Sequence, residues 1–332
     1  MRITVLAGGV GGARFLRGLK AAAPDAEITV VGNTGDDIDL FGLHVSPDLD
    51  TVMYTLGGGI SEEQGWGRAG ETFTVLSEIA AYGAGPDWFR LGDRDFATHI
   101  VRTEMLRRGL PLSAVTSALC QRWQPGVRLL PMTDDRVETR VTITGGEEPP
   151  GRRTVHFQEW WVRMHAEVPA AGIVFTGAQT AAPAPGVLEA ITTADYVLLP
   201  PSNPVVSVGA ILAVPGLAPA VRAATVVGVS PIIGGAPVRG MADACLAAIG
   251  VDTTATAVAA HYGAGLLDGW LVDDQDKAAA DDPALTGIAV RALPLYMTNL
   301  AASAEIARAA MSLAAELASS RHRGDQPPRR RT

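Results

Sequence analysis

Ile3-Thr-Val-Leu-Ala-Gly-Gly-Val-Gly-Gly12 decides the fold class. Residues 3–7 are apolar and β-prone, which suits a buried strand. The glycines after them permit positive φ and close backbone approach, and Ala13 to Lys20 has the spacing of a helix whose first amides can face an anion. A strand, a glycine turn and a helix in that order begin a nucleotide-binding α/β domain. Gly8, Gly9, Gly11 and Gly12 are the candidate phosphate cradle, and Arg14 adds a guanidinium that can engage phosphate oxygens in pairs. A tight turn with glycines present only for packing is the competing explanation.

Outward from this stretch, residues 27–31 predict a second strand of a parallel sheet covered on both faces. It ends in Gly32-Asn33-Thr34, where a dinucleotide-binding domain would place an acid for the ribose hydroxyls. Arg14 also stands where the last glycine of G-x-G-x-x-G belongs, so an NAD-dependent oxidoreductase is disfavoured. Five carboxylates follow within fifteen residues: Asp36, Asp37, Asp39, Asp48 and Asp50. Oxygen donors without a His or Cys cluster suit Mg²⁺ on a diphosphate better than zinc. Asp36, Asp48 and Asp50 are the candidate metal ligands, with Asp36 and Asp50 favoured; N-caps and solvated loop charges are the alternative for the set.

A helix is expected from Asp48 to Leu56, capped by Ser46 or Asp48, with Pro47 in its first turn. Helical patterns at 72–82, 93–108 and 112–123 predict a helical excursion over the C-terminal edge of the sheet. Strand patterns at 137–144 and 154–162 predict a β-hairpin insertion across a Gly-Gly-Glu-Glu-Pro-Pro-Gly connection. Strands at 172–177, 196–199, 225–229 and 266–272, with helices at 187–193, 205–212, 241–249, 253–262 and 301–319, resume the α/β alternation. The expected fold is therefore α/β, a Rossmann-like, mostly parallel sheet with helices on both faces. The chain divides into a nucleotide-binding half (1–125), the insertion (126–170), a second half completing the sheet (171–318) and a basic tail (319–332) read as disordered.

Ser202 and Asn203 follow the 196–199 strand at its carboxyl end, where open α/β sheets bind ligands, and supply short hydrogen-bonding groups for a base edge or a phosphate; as helix caps they would need no ligand. The loop from Ser230 to Gly235 follows the next strand in the same way. In the 93–99 segment Asp93 suits a helix cap, Arg94 suits anion or ring-edge recognition or an ion pair with Asp95, and His99 suits a structural role. Trp160 and Trp161 on an aromatic strand suggest a core or homodimer contact. No nucleophile elbow or Ser/His/Asp arrangement is present.

The chain has 332 residues, 47% of them hydrophobic, and a formal charge of −8. That is enough apolar material for a large core, and the charge argues against nucleic acid as a partner. No apolar stretch reaches 18 residues and the N-terminus lacks a signal-peptide pattern, so a cytoplasmic protein without a membrane partner is expected. Cys120 and Cys245 sit in helical patterns far apart, as reduced thiols would.

Ala7–Phe15, Asn33-Thr-Gly-Asp-Asp37, Ser46-Pro-Asp-Leu-Asp-Thr51, Leu91–His99, Pro201-Ser-Asn-Pro204 and Ser230-Pro-Ile-Ile-Gly234 together closely resemble the 2-phospho-L-lactate transferase family of coenzyme F420 biosynthesis. The likeness runs from residue 1 to about residue 318. It implies a Mg²⁺-dependent transferase that takes 2-phospholactate or phosphoenolpyruvate joined to GMP as a diphosphate. The phosphoester-bearing group passes to the deazaflavin alcohol Fo, and GMP leaves. The resemblance further implies that Asp50 and Arg94 contact the deazaflavin, and in such chemistry Asp36, Asp50 and Arg14 are the candidate catalytic groups. Residues 128–131 and 157–162 match the actinobacterial branch and favour phosphoenolpyruvate over phospholactate and phosphoglycerate. A non-catalytic nucleotide-binding regulator is the alternative from another class, and the carboxylate cluster argues against it.

Overall fold

The computed structural model describes residues 1–145 and 151–324. β1 (Arg2–Ala7) passes through a short turn into α1 (Gly9–Ala22), and β2 (Glu27–Gly32) returns beside β1 in parallel, from Arg2 opposite Glu27 to Ala7 opposite Gly32. They are central in a seven-stranded sheet ordered Ala289–Ala292, Gly269–Val272, Val226–Val229, Tyr196–Leu199, β1, β2, Arg128–Pro131. All of its pairings are parallel. The chain therefore builds outward from β1 in one direction, then returns to the other side of β1 with Tyr196–Leu199 and builds outward again. Between those two strands lies the switch point at which open α/β sheets bind ligands.

Side chains alternate across β1. Ile3, Val5 and Ala7 join a core with Phe15, Leu16 and Leu19 of α1 and with Ile306, Ala307 and Ala310 of the C-terminal helix Leu300–Gly324, whereas Leu6 joins Val31, Val197 and Val208 on the other face. Helices cover both faces, which is why the strands read as continuous apolar runs. No single described helix is long and apolar enough to cross a membrane. Both cysteines are free.

The structure redraws three parts of the expected layout. Ala170–Thr176 is not a strand of the main sheet: it pairs antiparallel with Glu138–Thr144, which pairs on its other side with Arg152–His156. The insertion is thus a three-stranded sheet rather than a hairpin. Arg128–Pro131, assigned to the insertion by position, is an edge strand of the main sheet against β2. The strand expected to run on to Val162 stops at His156, and Glu159–Arg163 form a π-helical turn. In that turn Trp160 is buried, its Nε1 donating to the Val168 carbonyl at 2.8 Å. The exposed aromatic strand that suggested a homodimer is therefore absent.

A small hairpin, Ile38–Leu40 with Leu43–Val45, leads into α2 (Pro47–Leu56). The C-terminal helix continues to Gly324, beyond the expected end at 319. The rest of the basic tail, residues 325–332, and most of the Gly-Gly-Glu-Glu-Pro-Pro-Gly connection, residues 146–150, lie outside the described residues.

Candidate functional site

The two loops of the switch point are tied together by Ser202. Its Oγ donates to the Gly8 carbonyl at 2.7 Å and accepts from the Gly8 amide at 3.1 Å. α2 begins against the same turn: the Gly9 amide donates to Asp48 Oδ1 at 2.8 Å, and Asn33 Nδ2 donates to Asp48 Oδ2 at 2.9 Å. These contacts leave no room for side chains. A Cβ on Gly8 would fall 2.3 Å from Asp48 Oδ2, and one on Gly11 would fall 2.3 Å from the Pro201 carbonyl oxygen. A Cβ on Gly12 would fall 2.6 Å from Ser202 Oγ, so packing alone requires three of the glycines. Gly8, Gly9 and Gly11 nonetheless border a cavity of about 600 Å³, while Gly12 lies behind its wall against Ser202 and Ala7.

Arg14, Asp36, Asp48, Ser202 and Asn203 border the same cavity. Asn203 also acts as a cap, its Oδ1 accepting from the Val205 and Val206 amides at 3.0 and 3.2 Å. Asp36 is 4% exposed and its Oδ1 has no hydrogen-bond partner. Burial, and then the charge of Asp48, hold the Asp36 carboxyl well above the usual carboxylate range. Burial likewise raises Asp48 to about 6, against the hydrogen bonds from Asn33 and Gly9. Two buried, mutually repelling carboxylates with an unpartnered oxygen are the surroundings a cation relieves. Among the described residues no group of three His, Cys, Asp or Glu side chains could hold a metal. Mg²⁺ is commonly held by one or two carboxylates and completed by substrate phosphates and water, and the pair fits that pattern.

Asp50 is not brought to this pair. Positions two apart on an α-helix point about 200° apart, so α2 cannot present Asp48 and Asp50 to one ligand. Asp50 turns into the protein and meets both terminal nitrogens of Arg102, Nη1 to Oδ2 at 3.0 Å and Nη2 to Oδ1. His99 Nδ1 lies 3.8 Å from Asp50 and its Nε2 lies 3.4 Å from Asp95, which accepts from Tyr54 at 2.7 Å. His99 lies inside this network and does not border the cavity, and its Nε2 has no hydrogen-bond partner among the described residues.

Arg94 does not border the cavity either; its Nη1 donates to the Ala69 carbonyl at 3.1 Å. Asp93 caps the neighbouring helix rather than its own, accepting from the Thr74 and Val75 amides at 3.1 and 2.9 Å. Glu71 returns the favour by accepting from the Arg94 and Asp95 amides at 2.8 and 2.9 Å. Asp37 is held by Ser46, which donates to it at 2.7 Å, and by His44, whose Nε2 lies 3.0 Å away; Ser46 is thus not a side-chain cap for α2.

A family model described as 2-phospho-L-lactate transferase CofD matches residues 3–287. The chain belongs to the 2-phospho-L-lactate transferase family. Proteins named phosphoenolpyruvate transferase share its sequence closely: that of Streptomyces coelicolor is 67% identical over 319 residues, covering 96% of this chain and 99% of its own. The Thermobifida fusca protein is 66% identical over 325 residues, again covering 96% of this chain and 99% of its own. A crystal structure of a UPF0052-family protein from Bacillus halodurans matches with TM-score 0.60 at 16% identity, covering 93% of this chain and 99% of that one, and speaks to the fold alone.

The cavity has further walls, most of which no sequence motif assigned to it. Arg239 and Arg90 border it, as do Trp66 and Tyr296, which are 45% and 47% exposed. Trp161 joins them from the π-helical turn. Arg90 immediately precedes the Leu91–His99 stretch; Arg239, Trp66 and Tyr296 are isolated residues on loops, and only the fold assembles them.

Proposed function

We propose that this transferase moves a phosphoenolpyruvyl group from its guanylylated diphosphate to the ribityl hydroxyl of the deazaflavin Fo, in the biosynthesis of coenzyme F420. The observation that carries the reading is the switch-point cavity, where the glycine turn at the start of α1, the unpaired Arg14 and the Asp36–Asp48 pair face one space. The names of the relatives favour phosphoenolpyruvate over 2-phospholactate as the acid.

The hydroxyl oxygen of Fo attacks the phosphorus that bears the three-carbon acid. The bond from that phosphorus to the bridging oxygen breaks, GMP departs with the bridging oxygen, and the hydroxyl proton passes to solvent. Such a displacement asks the protein for alignment and charge neutralisation rather than covalent chemistry. The α1 N-terminus and Arg14 would hold diphosphate oxygens. Asp36 and Asp48 would hold Mg²⁺, which when bound neutralises charge on the diphosphate. Trp66, Trp161 and Tyr296 offer flat faces to a guanine or a deazaflavin ring. Asp50 and Arg94 take no part in this reading, because both are engaged away from the cavity.

Incubation with Fo, guanylylated phosphoenolpyruvate and MgCl₂ tests it. Mass spectrometry should show Fo gaining one phosphoenolpyruvyl group with equimolar GMP, faster than with the phospholactate or phosphoglycerate donors. No product from any donor, or tight binding of NADH with none of GDP, would overturn it.

A further inference from the structure

Arg239 stands at the end of the loop that follows strand Val226–Val229 and the small hairpin of Ile232–Ile233 with Ala236–Pro237. Its Nη2 donates to the Gln64 carbonyl. Gln64 belongs to a loop folded back on itself, with the Ser61 amide donating to the Gly67 carbonyl at 3.1 Å and the Ala69 amide to the Gly59 carbonyl at 2.9 Å. Gly65 has a φ of +74° and lies so near that a Cβ there would fall 2.8 Å from Arg239 Nη1. Two loops far apart in sequence thus meet through one arginine beside the cavity that Trp66, Arg239 and Gly240 all border.

Charge explains what this arginine is for. Three guanidinium groups border the cavity, Arg14, Arg90 and Arg239, against two carboxylates, Asp36 and Asp48. None of the three has a carboxylate partner among the described residues. Arg90 is spent in part on the Phe73 ring, with its guanidinium carbon 4.5 Å from the centroid. Arg239 is exposed, yet partial burial of its guanidinium, and then the charge of Arg14, pull it below the ordinary arginine value. A donor with a diphosphate and a carboxylate carries more negative charge than one divalent cation shared with Asp36 and Asp48 would offset, and the remainder falls to the arginines. Arg14 is carried on α1 beside the glycine turn and serves the diphosphate, which leaves Arg239 on its separate loop for the carboxylate.

We propose that Arg239 selects for a carboxylate-bearing donor by binding the carboxylate of the three-carbon acid while the Gln64 carbonyl holds its guanidinium beside the cavity. The inference rests on the donor assigned above. Arginine suits the task because its fork matches a carboxylate with two parallel hydrogen bonds, and an arginine left without that group is penalised.

Dissociation constants measured by calorimetry with MgCl₂ and without Fo test it, using guanylylated phosphoenolpyruvate and 2-phospholactate, the ethyl analogue of the latter, which keeps the diphosphate and lacks the carboxylate, and GDP. The wild type should bind the carboxylated donors about 10- to 100-fold more tightly than the ethyl analogue. Arg239→Gln should bring that ratio close to one while the affinities for the ethyl analogue and GDP stay unchanged, and Arg239→Lys should restore part of it. A ratio that survives Arg239→Gln overturns the proposal. So does an equal loss for the ethyl analogue and GDP, which would put Arg239 on the diphosphate. A wild type that binds none of the guanylylated compounds sinks the donor assignment itself, a result separable from the other two.

Discussion

Asp48 and Asp50 are two positions apart on α2, are 9% and 4% exposed, and have opposite surroundings. Asp50 meets Arg102, itself buried, and sits in a network with His99, Asp95 and Tyr54 that completes its charge from within the protein. Asp48 faces the cavity beside Asp36, where two negative charges have neutral amides and hydroxyls but no cation among the described residues as partner. A buried charge whose partner is built in locks helix to helix. A buried charge left facing another of its own sign is held against its own preference by the surrounding fold, and such arrangements mark sites that await a ligand.

The comparison breaks most visibly from the Asp50 side. Arg102→Met should leave the Asp50 carboxylate buried and uncompensated and lower stability by about 3–5 kcal/mol, measured by chemical denaturation. Adding Asp50→Asn should recover a good part of that loss. An Arg102→Met protein that unfolds at the wild-type denaturant concentration would show that the pair does not hold α2 in place. On the other side, Asp48→Asn removes a repulsion but turns an amide donor toward the Gly9 amide or Asn33 Nδ2, so the unfolding midpoint should fall, by less than in Arg102→Met. Its kcat/KM should fall by about 10²- to 10³-fold, the usual scale for losing one group that stabilises transition-state charge. If Asp48→Asn turned over normally, the two aspartates would be functionally alike and the contrast would be lost.

The same two residues explain how far the sequence could be read. The strand, glycine turn and helix at residues 2–22 were legible because each has its own local signature, and the parallel sheet followed from the regular return of apolar runs. The carboxylate cluster was legible as a group, since composition is visible without a fold. Which member faced the cavity was a matter of helix phase: α2 was recognised as a helix, yet Asp48 and Asp50 were treated as neighbours, and 3.6 residues per turn separates them. Ala170–Thr176 was misplaced for a related reason. An apolar run announces a strand but not the sheet that strand joins, and here Glu138–Thr144 claims it through antiparallel pairing. Arg239 and Trp66 could not be found at all, because their meeting depends on loops 175 residues apart, joined at Gln64.

The finest test of the contrast uses pH. In the absence of a cation, Asp36 and Asp48 have folded-state values above the unfolded ones, Asp48 at about 6. Their contribution to stability is therefore fully present below about pH 4 and is lost as pH rises through 6 and beyond. Mg²⁺ takes the ionised carboxylates and must displace those protons at low pH, so its stabilising effect should run the other way and grow with pH. At a concentration 100 times its dissociation constant near pH 7.5, Mg²⁺ should add about 2.7 kcal/mol. Near pH 5, one unit below the Asp48 value, competition with a proton should remove about 1.4 kcal/mol of that gain. The Mg²⁺-induced rise in Tm, followed by scanning calorimetry, should then be larger by about 3 °C at the higher pH. Asp48→Asn should reduce this dependence, because only Asp36 would still release a proton to the metal. In Arg102→Met, provided it folds, the dependence should survive, since the Asp50 side of α2 has no part in it. A Mg²⁺ shift of equal size at both pH values would place the cation elsewhere and leave the repulsion between Asp36 and Asp48 without its relief.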